Sequence, residues 1–496
     1  MAFHESRVVI IETGRRVVRA CLGLGEFLHV PSVEISARVG LRKHAASTSN
    51  GANGTAPDAR VSDYLVGTTL DDALASGDAV EVYWPFADGK VGNWAQAEAI
   101  WKHILFQRLN IRRQLNECPV LLSLPAKLSR MTHMMLCRMF FERFNVAGFT
   151  FVERPLASLY AANLITGIVI DISQDETDII TCYESQLHHG SALSVPIGIR
   201  DCERHLAHLL RTNGSVLSAF SSHDASELDT LLLGLSRFLW QQGHVKIPIE
   251  GAEPEKKEEE GNLDIAAVLV SGKERALIEA AGIKKRAGQN KADKEREKEM
   301  ATDIISVQFR DFPAITVGKE RHRFCEPLFE PGVLSACSIP VQAVIQMDGL
   351  SLPTPPVPKD PDFMLPLQSA VHTVVKATPF SQRPTLYFGI VLTGQLANIH
   401  GLREAIKLRL APFLCAERVQ SETPVPGFQP NHAHPVTVPE YFAEFRDKGD
   451  LLSEFLGCGI VAKMAFGDSS GRYFVSKAEY GEKGPLSILD LTPTVL

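Results

Sequence analysis

The residues best placed to do chemistry stand at the tips of short apolar runs. Val8-Val-Ile-Ile11 runs into Glu12-Thr13-Gly14, and the chain returns through an arm carrying Arg15, Arg16 and Arg19. This pattern predicts a strand over Val8 to Ile11, a turn at Glu12 to Gly14, and a basic second arm from Arg15 to Leu22. A second acidic tip, Asp171, follows Ile168-Val-Ile170, with Gln174, Asp175, Glu176 and Asp178 soon after. A third tip, Thr393-Gly394, ends the run Ile390-Val-Leu392. His432 and His434 have the spacing of a metal-binding pair, but no third ligand is evident, so no metal site is expected. The nine cysteines are scattered without a C-x-x-C pair and read as reduced thiols.

The elements that position these tips are clearest between Pro119 and Asp171. Val120 to Leu124 is an apolar run stopped by Pro125 and predicts a buried strand. Ser129 to Phe144 predicts a helix, with Met131, Met135, Leu136, Met139 and Phe140 at helical spacing. Phe149 to Val152 reads as a strand. Pro155 to Ile165 reads as a helix with Pro155 in its first turn. Gly167 reads as its cap, before a third strand ending in Asp171. The alternation of strand and helix places the chain in the α/β class.

Composition limits the alternatives. A chain of 496 residues can bury more than one core. Hydrophobic residues make up 45% and charged residues 22%, an ordinary globular balance. The net charge of −7 gives no overall field to attract nucleic acid. No apolar run approaches the roughly 20 residues of a membrane helix, and no basic and then apolar leader opens the sequence. No membrane partner is expected, and the thiols suit a reducing cytoplasmic or nuclear compartment. Residues 43–63 read as a flexible loop, and residues 253–260 as a solvated charged run. Residues 284–299 read as an exposed charged arm or a partner contact, and residues 351–361 and 424–435 as Pro-rich connectors.

Several of these words resemble the actin family. They are Pro119-Val-Leu-Leu-Ser123, Ser158-Leu-Tyr-Ala161, Thr166-Gly-Ile-Val-Ile-Asp171, and Gly318-Lys-Glu-Arg321 through Glu330-Pro331. Phe455-Leu-Gly-Cys-Gly-Ile-Val-Ala462 and Ser476-Lys-Ala-Glu-Tyr480 carry the likeness to the far end. The resemblance implies an actin fold with insertions: two RNase H-like α/β domains, four subdomains and a central cleft. Subdomain 1 would comprise residues 1–40, 80–161 and 436–496, and subdomain 2 residues 41–79. Subdomain 3 would comprise residues 162–200 and 340–435, and subdomain 4 residues 201–339 with a charged insertion.

The resemblance also implies a nucleotide pocket, and the sequence departs from it there. Actins have a first phosphate loop with an acid that organises the metal's waters, glycines that admit phosphate, and a lysine. Here Glu12, Gly14 and Arg19 are the counterparts, while Arg15 and Arg16 take positions where close backbone approach needs small residues. At the second loop Asp171 remains, Gln174 replaces the other Asp, and both glycines are gone. Uncompensated charge on Asp175 and Glu176 is expected to disfavour a polyphosphate. Arg154 stands where the family has the glutamine that positions water. Gly394 remains of a double glycine whose second member is Gln395. The remnants Glu12, Gly14, Arg19, Asp171 and Gly394 imply a degenerate pocket without catalysis and with no required cofactor, ATP binding being doubtful.

Within the family, Leu263 to Arg275, Val438-Pro-Glu-Tyr-Phe442 and Lys483-Gly-Pro485 resemble the fungal actin-related protein nine branch. That likeness implies a nuclear subunit of the SWI/SNF and RSC chromatin remodellers. It would pair with actin-related protein seven, bind the helicase-SANT-associated helix of the remodeller ATPase, meet other remodeller subunits and touch chromatin indirectly. The helix would enter a cleft walled by Tyr160, Asn163, Ile165, Val461 and Met464. Two alternatives stand beside this reading: an ATP-binding enzyme of the actin superfamily, and a nucleotide-binding cytoplasmic actin-related protein of dynactin or cytoskeletal type.

Overall fold

The computed structural model describes residues 3–25, 28–42, 59–87, 89–221, 224–248, 303–347, 364–419, 432–446, 448–467 and 472–491. Residues 43–58, 253–260, 263–299, 351–361 and 424–431, where the sequence predicts loops, a charged arm and insertions, lie outside the described residues. The chain divides into two compact units, residues 1–205 with 325–496, and residues 206–324.

The larger unit holds two sheets built on one plan. In the first, β1 (Val9–Thr13) and β2 (Val17–Leu22) form an antiparallel hairpin, continued by β3 (Val33–Ser36). On its other side β1 pairs in parallel with β4 (Pro119–Leu124), which pairs in parallel with β5 (Gly148–Glu153). In the second, β6 (Gly167–Ile172) and β7 (Thr177–Tyr183) form the hairpin, and β8 (Ile390–Gly394) pairs in parallel with β6. Every residue of β1 and β4 is buried, which is why both read as apolar runs without alternation. A separate three-stranded sheet joins Tyr64–Val66, Val39–Arg42 and Val80–Tyr83.

Four helices matter for the site. These are α1 (Trp94–Lys102), α2 (Arg130–Glu142), α3 (Arg154–Ala161) and α4 (Ser453–Gly467). Ser129 caps α2, accepting the Thr132 N–H. Pro155 sits in the first turn of α3, where its missing N–H costs nothing. Apolar residues surround α4, which is buried on nearly every face and packs on α3, β1 and β4. The contact between α3 and α4 is backbone-close: a Cβ on Gly457 would lie 1.8 Å from the Ala157 carbonyl oxygen.

The smaller unit is organised around helix Ala225–Gln241 and the hairpin of Ile305–Val307 with Ile315–Val317. Phe220, Phe238 and Phe309 share ring contacts in it. Buried Arg321 pairs with Asp303 and donates to the carbonyls of His244, Asp303 and Gly318. Among the described residues no helix is long and apolar enough to cross a membrane.

Four expectations need correction. Glu12 and Thr13 belong to β1, and the turn is Gly14 to Arg16, because Glu12 pairs in register with Arg19. Helix α3 ends at Ala161, short of Ile165, since Asn163 adopts φ +58 and closes the last turn. Gly167 is not its cap but the first residue of β6. A Cβ there would meet the Gly389 carbonyl oxygen at 2.2 Å. On α2 the buried face is Leu136, Cys137, Phe140 and Phe141, while Met131 and Met135 are exposed.

The α3–α4 contact gives a direct test. Gly457→Ala should destabilise the protein by about 1–3 kcal/mol through overpacking, read as a lower urea midpoint. An unchanged midpoint would mean that the two helices can separate without loss.

Candidate functional site

The two hairpins, β1–β2 and β6–β7, present their tips to one another, and charged side chains fill the space between them. Arg154, the first residue of α3, donates from Nη2 to Asp171 Oδ2 at 2.8 Å and from Nε to Glu454 Oε2 at 2.9 Å. Glu454 opens α4, and its Oε1 accepts from Ser123 Oγ at 2.7 Å. Ser123 Oγ in turn accepts the Thr13 N–H at 3.2 Å. One guanidinium therefore links β6, α3 and α4, and a hydroxyl carries the link on to β4 and β1.

Beside it, Arg19 donates from Nη1 to Glu12 Oε1 at 2.7 Å and from Nε to Glu34 Oε2 at 2.9 Å. At the tips, Arg15 pairs with Glu176 and with Asp178, the latter at 2.9 Å. Arg16 lies 4.6 Å over the Trp84 ring and 3.9 Å from Asp175, which also pairs with Arg200. Gln174 Nε2 donates to Gln395 Oε1 at 3.0 Å. The negative charge expected to stand uncompensated on Asp175 and Glu176 is thus matched by Arg200, Arg16 and Arg15. The correction has a simple cause: the guanidiniums that replace small residues on one hairpin face the acids gained on the other.

The glycines that remain serve the backbone. Gly394 has φ +95, and a Cβ on it would stand 2.5 Å from the Ile172 carbonyl oxygen. Gly14 donates its N–H to the Val17 carbonyl inside the hairpin turn. Gly89, at φ +68, lies beneath the Arg15 guanidinium, whose nearest atom would be 3.1 Å from an added Cβ.

Electrostatics here are those of a buried cluster. Glu12, Asp171 and Glu454 share two guanidiniums, Arg19 and Arg154, so one carboxylate is in excess. Glu12 takes the consequence: burial first, then repulsion from Glu454, push it up to about 8 against the pull of Arg19 and Arg154. Its Oε2 is buried without a hydrogen-bond partner. Burial also raises Asp171, with Arg154 opposing. Burial works against the charge on Arg154, but Glu454 and Asp171 outweigh it and hold that guanidinium firmly protonated.

All five pocket residues expected from the sequence, Glu12, Gly14, Arg19, Asp171 and Gly394, line one cavity of about 110 Å³. This is below the roughly 300 Å³ at which small-molecule pockets usually begin. These residues do not fit a metal-bound polyphosphate. Side chains stand where phosphates need bare backbone, and the arginines at the tips are already matched by carboxylates. Sequence reasoning missed Glu454. The available signal was an acid in the first turn of a helix whose next eight residues carry no charge, since a charge in such company must have a partner.

The five residues expected to wall a partner cleft are placed differently. Tyr160 and Val461 belong to the core, at 4% and 1% exposure. Asn163 and Ile165 are exposed, Ile165 at 49%, and Met464 is half-buried. His432 and His434 are both exposed, and no group of three metal-type ligands occurs among the described residues.

Two measurements test the cluster. Arg154→Met should cost about 3–5 kcal/mol by leaving Asp171 and Glu454 buried without their cation. Adding Glu454→Gln should restore part of it, whereas an unchanged urea midpoint in the single variant would show that the cluster holds nothing. For pH, a carboxyl raised on folding contributes stability that is complete below its ordinary value of 4.5 and lost as pH climbs through about 8. Glu12→Gln should therefore flatten the fall in stability between those limits, and parallel curves for both proteins would contradict the assignment.

Comparison with known proteins gives this arrangement its setting. The profile of the family described as Actin matches residues 3–489. The SWI/SNF and RSC complexes subunit arp9 of Schizosaccharomyces pombe is 25% identical, over 98% of this chain and 99% of that protein. Actin-related protein 2 of Saccharomyces cerevisiae is 27% identical over 30% of this chain and 39% of that protein. Actin-related protein 2 of Acanthamoeba castellanii is 26% identical over 32% of this chain and 39% of that protein. With the twin hairpin-bearing sheets and a family match from end to end, the chain belongs to the actin family.

Proposed function

We propose that this actin-related protein is a non-catalytic subunit of an ATP-dependent chromatin-remodelling complex of the SWI/SNF and RSC type, and that it works in the nucleus. The observation that carries the reading is the likeness to the arp9 subunit over nearly the full length of both chains. The ion pairs across the pocket support the non-catalytic part. Arg154 is engaged by Asp171 and Glu454 where actins keep a water-positioning glutamine. The likeness to actin-related protein 2 reaches 30% of the chain, so it supports the fold more than a cytoskeletal role.

In this role the protein pairs with a second actin-related protein, number seven. Together they hold the helicase-SANT-associated helix of the remodeller ATPase. Such binding lays an amphipathic helix into an apolar groove. The surface where α3 ends beside α4 supplies the adaptable contacts, Ile165 and Met464, over a floor that includes Tyr160 and Val461.

The test is assembly on the isolated ATPase helix, with and without the second actin-related protein. A tight complex of one copy each is expected. No binding in either condition would remove the remodeller reading, and ATP turnover or polymer formation would favour the alternatives. Ile165→Asp, on an exposed side chain, should weaken that assembly at least tenfold while leaving the melting temperature unchanged. Met464→Asp should act in the same direction. Full affinity in both folded variants would move the helix to another surface.

A further inference from the structure

A second cavity, of about 390 Å³, borders the ion-pair cluster, whose Arg154, Asp171 and Glu454 form part of its wall. Its size falls within the range of small-molecule sites. Pro125, Ala126, Val169, Ile180 and Leu193 give it apolar walls. Its charged groups are unevenly matched. Arg15 holds two carboxylates, Glu176 and Asp178, and Arg154 holds two more, Asp171 and Glu454. The Arg15 group carries one surplus negative charge, while the excess around Arg154 is taken up at Glu12. Lys90 and Lys127 also line the cavity, are exposed, and form no ion pair among the described residues. Negative surplus therefore stands on one side of the balance, and two unmatched ammonium groups stand on the other.

Lys127 is also held in a costly backbone conformation. Its φ is +70, in the left-handed region where a glycine would be at ease. The Glu153 carboxylate fixes it there, accepting the Lys127 N–H at 3.2 Å while its other oxygen lies 3.3 Å from His189 Nε2. Lys127 thus combines a left-handed backbone with a side chain that has no ion partner among the described residues, at the edge of an apolar cavity.

We propose that this cavity binds a small zwitterion with an apolar body, of the α-amino acid class, whose carboxylate meets Lys127 and Lys90 and whose ammonium meets the surplus carboxylate at Asp178. Asp178 spends only one oxygen on Arg15. A plain anion would leave the acidic surplus unanswered, and a plain cation would leave the lysines unanswered. The apolar walls select an apolar side chain. The inference is independent of the remodeller reading, because it needs no partner protein.

The test is calorimetric titration of the full-length protein with L-phenylalanine, 3-phenylpropanoate, which lacks the ammonium, and 2-phenylethylamine, which lacks the carboxylate. Phenylalanine should bind, and each of the others should bind at least tenfold more weakly. Lys127→Gly suits the local backbone, so it should keep or raise the melting temperature while weakening phenylalanine at least fivefold. It should leave the amine unchanged. Lys90→Ala, on an exposed side chain, is a second probe with the same expectation. Absence of phenylalanine binding to the folded protein overturns the proposal. So does equal binding of either fragment, or unchanged affinity in both lysine variants.

Discussion

The pairing of Arg154 with Asp171 and Glu454 is the interaction on which the rest of the site depends. It joins the tip of one sheet's hairpin to the helix packed against the other sheet. It is buried, so its strength comes from geometry and from the low local dielectric, and its cost comes from desolvation. Neither carboxylate can be left behind cheaply. Ser123 and Thr13 extend the constraint into strands whose every residue is buried. In the neighbouring Glu12–Arg19 pair, burial first and then the charge imbalance push the Glu12 carboxyl above its ordinary range.

Much of the scaffold was legible in the sequence because its signals are local. Apolar runs marked β1, β4 and β6, Pro155 marked the start of α3, and Ser129 marked the start of α2. The remnants Glu12, Gly14, Arg19, Asp171 and Gly394 were legible as one pocket only through family resemblance. No local pattern brings residues so far apart to a single cavity. Boundaries failed where a tertiary contact decides them: Gly167 lies against Gly389 instead of capping a helix, and Asn163 takes the cap instead. The pairing of Arg15 with Glu176 and Asp178 was not legible at all. Each hairpin seen alone carries uncompensated charge, and only the facing of the two hairpins cancels it.

Packing and charge act here on different length scales. The α3–α4 contact at Gly457 brings two backbones together and sets the relative height of Arg154 and Glu454, one at the start of each helix. The ion pair then depends on a glycine that carries no chemistry of its own. Gly89 has a comparable part under Arg15. In both places a missing side chain is what lets a guanidinium reach its acids.

The arginine–carboxylate pairs across the hairpins also change what the site can respond to. A bound solute occupies a pocket in proportion to its concentration, so a pocket held together by one opens and closes with supply. Acids and guanidiniums carried by the same chain have a local concentration set by covalent connection. The charge balance between these hairpins is therefore a fixed property of the fold, answering to acidity and ionic strength.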